Sequence, residues 1–329
     1  MVKSHSHTLS FIMAADRQPG SGNATQASRA QRGTWRPWAW ATPAFITLVL
    51  VGLLVSWHGG GIEGTASWPE QQAVFLAWNT NFAAVPSSLW SAITLLGDST
   101  VLMPMLALFV LSRPRIWAAV LASVPAGALL SASVKHWAGV PRPAAVLDQA
   151  WFNLVGPALH HNSFPSGHTI SAFAAAAAVL ATCVARPQRG RDWILIAWGL
   201  LPAIVIALSR VAVGAHWPLD LAAGAAIGWL AGLSGAALAR RPGWWHWLFF
   251  GAGRPAAGAG LILWGVLLWL RPHQTLTCAV VLGVAGLSAV AAGFTLLTAG
   301  RSRGALPLSA IAGSSVREAS VASDRPSGP

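Results

Sequence analysis

Residues 193–239 read WILIAWGLLPAIVIALSRVAVGAHWPLDLAAGAAIGWLAGLSGAALA, and Arg210 and Asp220 are the only charged side chains among them. The stretch divides into apolar runs at 193–213 and 217–239. A helix needs about 20 such residues to cross a hydrocarbon core roughly 30 Å thick, so each run is a candidate membrane span. The rest of the chain agrees. Of its 329 residues 54% are hydrophobic and 9% are charged, and the mean hydropathy is +0.56. Soluble globules carry about a quarter charged residues, so this chain lacks the polar surface to be one. Disordered, coiled-coil and disulfide-scaffold classes fall to the same counts. Cys183 and Cys278 both lie in apolar stretches, where no structural disulfide is expected.

Further spans are expected at 39–57, 88–112, 116–137, 167–186, 255–271 and 275–299, the second interrupted by Gly97-Asp98-Ser99. The segment from Trp244 to Phe250 suits an interfacial position. Several tryptophans, among them Trp57, Trp117, Trp137, Trp193, Trp217 and Trp269, fall near span ends, where their amphipathic rings anchor well. Residues 67–84 read as an amphipathic helix on the membrane surface. The polar leader (1–38) and the Ser/Arg/Pro-rich tail (304–329) read as disordered. The first span has no cleavage-site pattern of a signal peptide.

The net charge of +12 would suggest nucleic acid in a soluble protein, but here it follows the topology. Arg113 and Arg115 join spans two and three, and Arg240 and Arg241 follow span six. Further basic residues crowd both termini and the loop at 186–191. Lys135, Arg142, Arg210 and Arg271 fall on the other face. The positive-inside rule places both termini in the cytoplasm, and no nucleic-acid partner is expected.

The few outer cations sit among other chemistry-bearing residues. Three segments meet at the outer ends of spans three to six: Lys135 to Pro143, Ser163 to His168, and Ser209 to Asp220. Charge at the centre of a membrane helix costs about 2.5–3.5 kcal/mol, and less toward the interface. A cluster of cations, imidazoles and a carboxylate there calls for an anionic partner. Lys135, Arg142 and Arg210 offer donors suited to phosphoryl oxygens. Ser166 and Gly167 open span four, whose free N–H groups and dipole favour an anion. His216 and Asp220 are four apart, so the carboxylate can fix one imidazole nitrogen and leave the other to attack. His168 is a second imidazole, placed to protonate a leaving oxygen. No cofactor or metal is required by this set.

The pattern K-x6-RP, PSGH, SR-x5-H-x3-D resembles the three-part signature of the type 2 phosphatidic acid phosphatase (lipid phosphate phosphatase) superfamily, in its bacterial integral-membrane branch. Its positions here are Lys135, Arg142, Pro143; Pro165, Ser166, Gly167, His168; Ser209, Arg210, His216 and Asp220. The resemblance implies an all-α membrane fold with a six-span core, here residues 39–239. Residues 240–303, an extra C-terminal helix pair, lie outside the family pattern. It also implies His216 as nucleophile, oriented by Asp220, with His168 as general acid and base. Lys135, Arg142, Ser166, Gly167 and Arg210 would then hold the phosphoryl oxygens. The soluble vanadate-dependent haloperoxidases share the signature, but eight spans argue against them.

Each fragment alone has an ordinary reading: span-flanking cations, a turn before a helix, a structural His–Asp hydrogen bond. Their order and common face favour chemistry. Cys183 and Arg189 match a cysteine-phosphatase spacing, but no Gly-rich cradle lies between them and they face the cytoplasm. Gly59-Gly60-Gly61 lacks the strand–helix unit of a nucleotide fingerprint. His160 and His161 read as loop residues near substrate, and Asp98 either faces the site or caps a helix. The expected activity is hydrolysis of a lipid phosphate or diphosphate at the outer face of a plasma membrane, undecaprenyl diphosphate being the leading candidate. Lipid phosphotransfer through the same intermediate is the alternative. A non-catalytic membrane protein or transporter is more remote, because the charges cluster at one face.

Overall fold

The computed structural model describes residues 37–184 and 190–299. The expectations for the C-terminal tail, and for all but the last two residues of the leader, fall outside that range. The chain forms two units, Met1–Ala39 and Trp40–Pro329; the first contributes only the opening residues of α1 to what is described. Every regular element among the described residues is helical. Five helices are long and apolar enough to cross a membrane, and seven spans result if two bent pairs each count as one. Gly167–Cys183 is a shorter apolar helix. This is an all-α, multi-pass membrane protein.

In chain order the main helices are α1 (Pro37–His58), α2 (Pro69–Phe82) and α3 (Ser87–Leu95). The run Ser99–Ser112 is α4. Then come α5 (Pro114–Ala138), α6 (Gly167–Cys183), α7 (Gly190–Ala212), α8 (Pro218–Leu238), α9 (Gly243–Phe249), α10 (Arg254–Trp269) and α11 (Leu276–Thr298). The chain bends by 73° between α3 and α4 and by 69° between α9 and α10. The first bend falls where Gly97-Asp98-Ser99 interrupts the apolar pattern. The second separates the Trp244–Phe250 segment from the span that follows.

Local chemistry accounts for the helix ends. Pro114 and Pro218 occupy first-turn positions of α5 and α8, where no N–H is needed. Asp98 caps α4 by accepting from the Thr100 N–H at 2.9 Å, Ser166 caps α6, and Thr275 caps α11. Gly139 closes α5 in the left-handed region at φ +58°, which glycine enters without a Cβ penalty.

The centre of the bundle is α8, packed on α6 and α5. Contact is close because the facing residues are small: a Cβ on Gly228 would stand 2.4 Å from the Ile170 carbonyl oxygen, and one on Gly232 2.3 Å from that of Ala174. Small residues four apart let two membrane helices approach backbone to backbone. Gly228→Ala is therefore expected to force α6 and α8 apart, costing about 1–3 kcal/mol as overpacking does. Thermal unfolding in detergent reads this as a lowered midpoint; an unchanged midpoint would mean that the helices are free to separate.

Two tryptophans expected at the interface are interior residues instead. Trp217 is fully buried and donates from Nε1 to the Pro141 carbonyl at 2.8 Å. Trp117 is buried and donates to the Met103 carbonyl at 3.2 Å. Each found a backbone acceptor inside the protein, which satisfies its one polar atom. Trp57, Trp137, Trp193 and Trp269 stay exposed. Helix α2 has a protein-facing side, with Phe75 and Asn79 fully buried. The Asn79 amide donates to the carbonyls of Val211 and Ala212 at 2.9 and 3.2 Å. It thereby ties α2 across the end of α7.

Candidate active site

The last turn of α5 carries Lys135, and the chain reverses at Gly139, so Arg142 returns alongside it. Both cations meet one carbonyl: Lys135 Nζ donates to Asn162 O at 2.9 Å, and an Arg142 terminal nitrogen reaches the same oxygen at 3.4 Å. Asn162 adopts φ +57°, a region asparagine tolerates better than most residues. Arg142 is further held by the carbonyls of His161 (2.8 Å) and Ala215 (2.9 Å), and its backbone N–H donates to His160 O at 3.0 Å. His160 and His161 thus act through their backbones, and their side chains are exposed.

The link between α7 and α8 delivers His216. Gly214 turns the chain at φ +75°, and a Cβ there would lie 2.8 Å from the Phe152 ring and 2.9 Å from the Asn153 carbonyl oxygen. Neither the conformation nor the space admits a side chain. His216 is 2% exposed and Asp220 1%. Asp220 Oδ2 gathers three groups: Ser163 Oγ–H donates at 2.5 Å, the Trp217 N–H at 2.8 Å, and His216 Nδ1 lies at 3.1 Å. A carboxylate can only accept, so Nδ1 carries the proton and Nε2 keeps its lone pair. Nε2 faces an Arg142 terminal nitrogen at 3.2 Å.

Burial holds the His216 imidazole well below the ordinary histidine value, and the positive charges of Arg142, Arg210 and Lys135 push in the same direction. The ring is neutral near pH 7, as an attacking nitrogen must be.

Helix α6 begins at the Asp220 backbone: Ser166 N–H donates to Asp220 O at 3.1 Å. Ser166 is buried, and its hydroxyl oxygen accepts from the Thr169 hydroxyl at 3.0 Å. Its own hydroxyl hydrogen is left over, as are the N–H groups of Gly167 and His168, which have no intrahelical acceptor, while that of Thr169 is capped by the Ser166 oxygen. His168, one residue into α6, lies against Gly97: a Cβ there would be 2.9 Å from His168 Cβ. His168 also lines a cavity of about 230 Å³ together with Gly97, Asp98, Ser131 and Gly167. Arg210, 7% exposed, donates to Thr94 Oγ1, while its Nε is buried without a partner. Among the described residues none of Lys135, Arg142 and Arg210 has a carboxylate at ion-pairing distance.

All the residues expected from the sequence gather at one end of α5 to α8. Three cations without a carboxylate partner, helix-end donors and a neutral imidazole therefore lie at the same end of these helices, groups of the kind that hold phosphoryl oxygens. No group of three His, Cys, Asp or Glu side chains among the described residues could hold a metal ion. Cys183 is a free thiol at the far end of α6 from His168.

Residues 116–250 match the family model described as the PAP2 superfamily. Over that stretch the chain is similar to the PAP2 superfamily, which with the relative below indicates a membrane-embedded phosphate ester hydrolase. A curated relative, the undecaprenyl-diphosphatase of Sulfolobus acidocaldarius, is 28% identical over 190 residues, covering 57% of this chain and 87% of the relative. Of solved structures, Aquifex aeolicus LpxE is 26% identical, with a TM-score of 0.43, covering 54% of this chain and 98% of its own. The first transmembrane PAP2-type phosphatidylglycerolphosphate phosphatase from Bacillus subtilis is 17% identical, with a TM-score of 0.44, covering 61% and 94%. The PAP2 match ends before α10 and α11.

Several site residues escaped sequence reasoning. Ser163 and Asn162 lie just ahead of Pro165-Ser166-Gly167-His168, yet nothing local says that one hydroxyl reaches Asp220 and one carbonyl serves two cations. Gly214 sits inside the x5 gap of the third motif, where an unexplained glycine was the available signal. Thr94 carries no pattern at all, and Gly97 marks the break in the second span without revealing its contact with His168. Asp98, left open between two readings, caps α4 and also lines the cavity beside His168.

Proposed function

We propose that this chain removes the terminal phosphate of a lipid phosphate or diphosphate through a covalent phosphohistidine. The observation that carries the reading is His216, neutral and oriented through Nδ1 by Asp220, with an unprotonated Nε2 that accepts from the phosphate-holding Arg142. His216 Nε2 attacks phosphorus as the lipid oxygen leaves, and His168 gives that oxygen its proton. His168 then takes a proton from water, whose oxygen displaces His216 and releases inorganic phosphate. Lys135, Arg142, Arg210, Ser166 and the Gly167 N–H hold the equatorial oxygens and the charge spread over them.

The cavity beside His168 has Met103, Val124, Gly127, Ala128, Ile170 and Ala174 among its walls, an apolar path on the side where the lipid departs. The excess of arginine on the opposite face supports cytoplasmic termini and a site open to the outside. Residues 39–239 form the six-span catalytic core in this reading, and 240–303 an added pair. Among lipids of the outer leaflet, undecaprenyl diphosphate is favoured by the archaeal relative that bears its name.

The test is phosphate release by the purified full chain, in chelating buffer, from undecaprenyl diphosphate, phosphatidic acid and phosphatidylglycerol phosphate. Release without added acceptor supports hydrolysis. A phosphorylated second lipid without free phosphate would establish transfer instead.

The pH profile follows from His216. Its lowered pKa keeps the nucleophile neutral on the acid side of the ordinary histidine value, and protonation removes it only lower still. The acid limb of kcat/KM, after correction for substrate ionisation, is expected below about pH 6.5, the unperturbed value. A limb centred at or above that pH would contradict a buried, cation-flanked nucleophile.

A further inference from the structure

The C-terminal helices lie beyond the family match, and side chains of this pair reach into the broken second span. Helices α10 and α11 meet through glycines, with Gly258 against Gly293 and Gly265 against Gly286. From this unit an Arg271 terminal nitrogen donates to Asp98 Oδ2 at 2.9 Å and to Thr100 Oγ1 at 3.1 Å. Trp264 Nε1 donates to Thr100 O at 2.9 Å. Thr277 donates to Ser88 O at 2.8 Å, and Ser288 to Met105 O at 3.0 Å. These bonds grip the chain before, at and after the 73° bend.

That bend touches the site on two sides. Gly97 is packed so tightly on His168 and Ile206 that a Cβ would be 2.9 and 2.6 Å from their side-chain carbons. Thr94, one turn earlier, accepts from Arg210. A shift of the Leu96–Asp98 corner therefore displaces the imidazole and one of the phosphate-holding cations together. On the catalytic side the corner has its own cap at Asp98; the side-chain donors that anchor it from outside come from the added pair.

We infer that Arg271 is a positioning residue for the phosphatase site, holding the Asp98–Thr100 corner so that Gly97 keeps His168 in register with the leaving oxygen. The C-terminal pair is then a working part of the enzyme, although no motif residue lies in it. This inference rests on the proposed role of His168. Arg271 also borders a cavity of about 320 Å³ shared with Arg210, so direct contact with a headgroup is the rival role, and the two predict different kinetics.

The experiment compares Arg271→Ala, Arg271→Lys and Asp98→Asn in the full chain on phosphatidic acid, whose alkoxide leaving group needs a proton, and on p-nitrophenyl phosphate, whose phenolate does not. Asparagine caps a helix as well as aspartate, so Asp98→Asn removes the charge pair while keeping the cap. A misplaced general acid costs on the order of 10–100-fold. Arg271→Ala is expected to lower kcat on phosphatidic acid by that factor, with KM changed less than about threefold. The aryl ester should fall no more than about threefold. Arg271→Lys should recover part of the loss, and Asp98→Asn should repeat it. Should Arg271→Ala fail to fold, the other two variants carry the same comparison. Equal losses on both substrates, no loss, or a raised KM with kcat intact would each overturn the inference. A wild type inactive on every phosphate tested would instead remove the proposed function itself.

Discussion

His216→Ala is expected to leave a folded membrane protein that no longer releases phosphate. Removing a covalent nucleophile from a site that works as a unit costs on the order of 10⁴-fold or more in kcat. The fold should tolerate the change, because the partners of His216 are not orphaned. Asp220 keeps the Ser163 hydroxyl and the Trp217 N–H, and Arg142 keeps the carbonyls of His161 and Ala215. Phosphate release, read beside gel filtration and thermal unfolding in detergent, separates lost chemistry from lost structure. Acid-labile labelling of the wild type, absent from the variant, would identify the phosphoenzyme. Turnover within about tenfold of wild type would remove His216 as nucleophile.

Asp220→Asn is expected to lower kcat by about 10²–10³-fold, less than the roughly 10⁴ seen when such a swap also inverts the histidine tautomer. The difference comes from the donors already present. The Trp217 N–H and the Ser163 hydroxyl both point at Oδ2, so the amide must turn its oxygen there, and Nδ1 still finds an acceptor. What is lost is the negative charge beside an imidazole that becomes positive as the phosphoryl group arrives. Single-turnover rates would show the loss in the chemical step. A fall of less than about tenfold would reduce Asp220 to a cap for α8. Ser163 is the residue to combine with it, since their hydrogen bond couples the two effects.

Much of this site could be read from one chain because its residues cluster at span ends. Lys135 and Arg142 flank the glycine that closes α5, Ser166 opens α6, and His216 and Asp220 straddle the proline that starts α8. Their placement follows from helix boundaries, which apolar runs and caps reveal locally. The misreadings arose where a side chain had two solvents available. Trp217 and Trp117 suit an interface as well as an interior with a carbonyl to bond, and only packing distinguishes the two. Asp98, left open in the sequence, both caps α4 and lines the cavity beside His168, a double placement that only the packing reveals.

The sequence by itself determined that the chain is helical and multi-pass, approximately where each apolar run begins and ends, and which residues are candidates for phosphate chemistry. Those properties rest on length against bilayer thickness, on local caps and on motif spacing. The tertiary structure alone decided the partners. Ser163 reaches Asp220 across 57 positions, Arg210 reaches Thr94 across 116 and Arg271 reaches Thr100 across 171. Such pairs leave no period in the chain, because they depend on which helix faces lie together. Those faces are chosen by close backbone approach at Gly228, Gly232, Gly265 and Gly286, contacts that involve both surfaces at once.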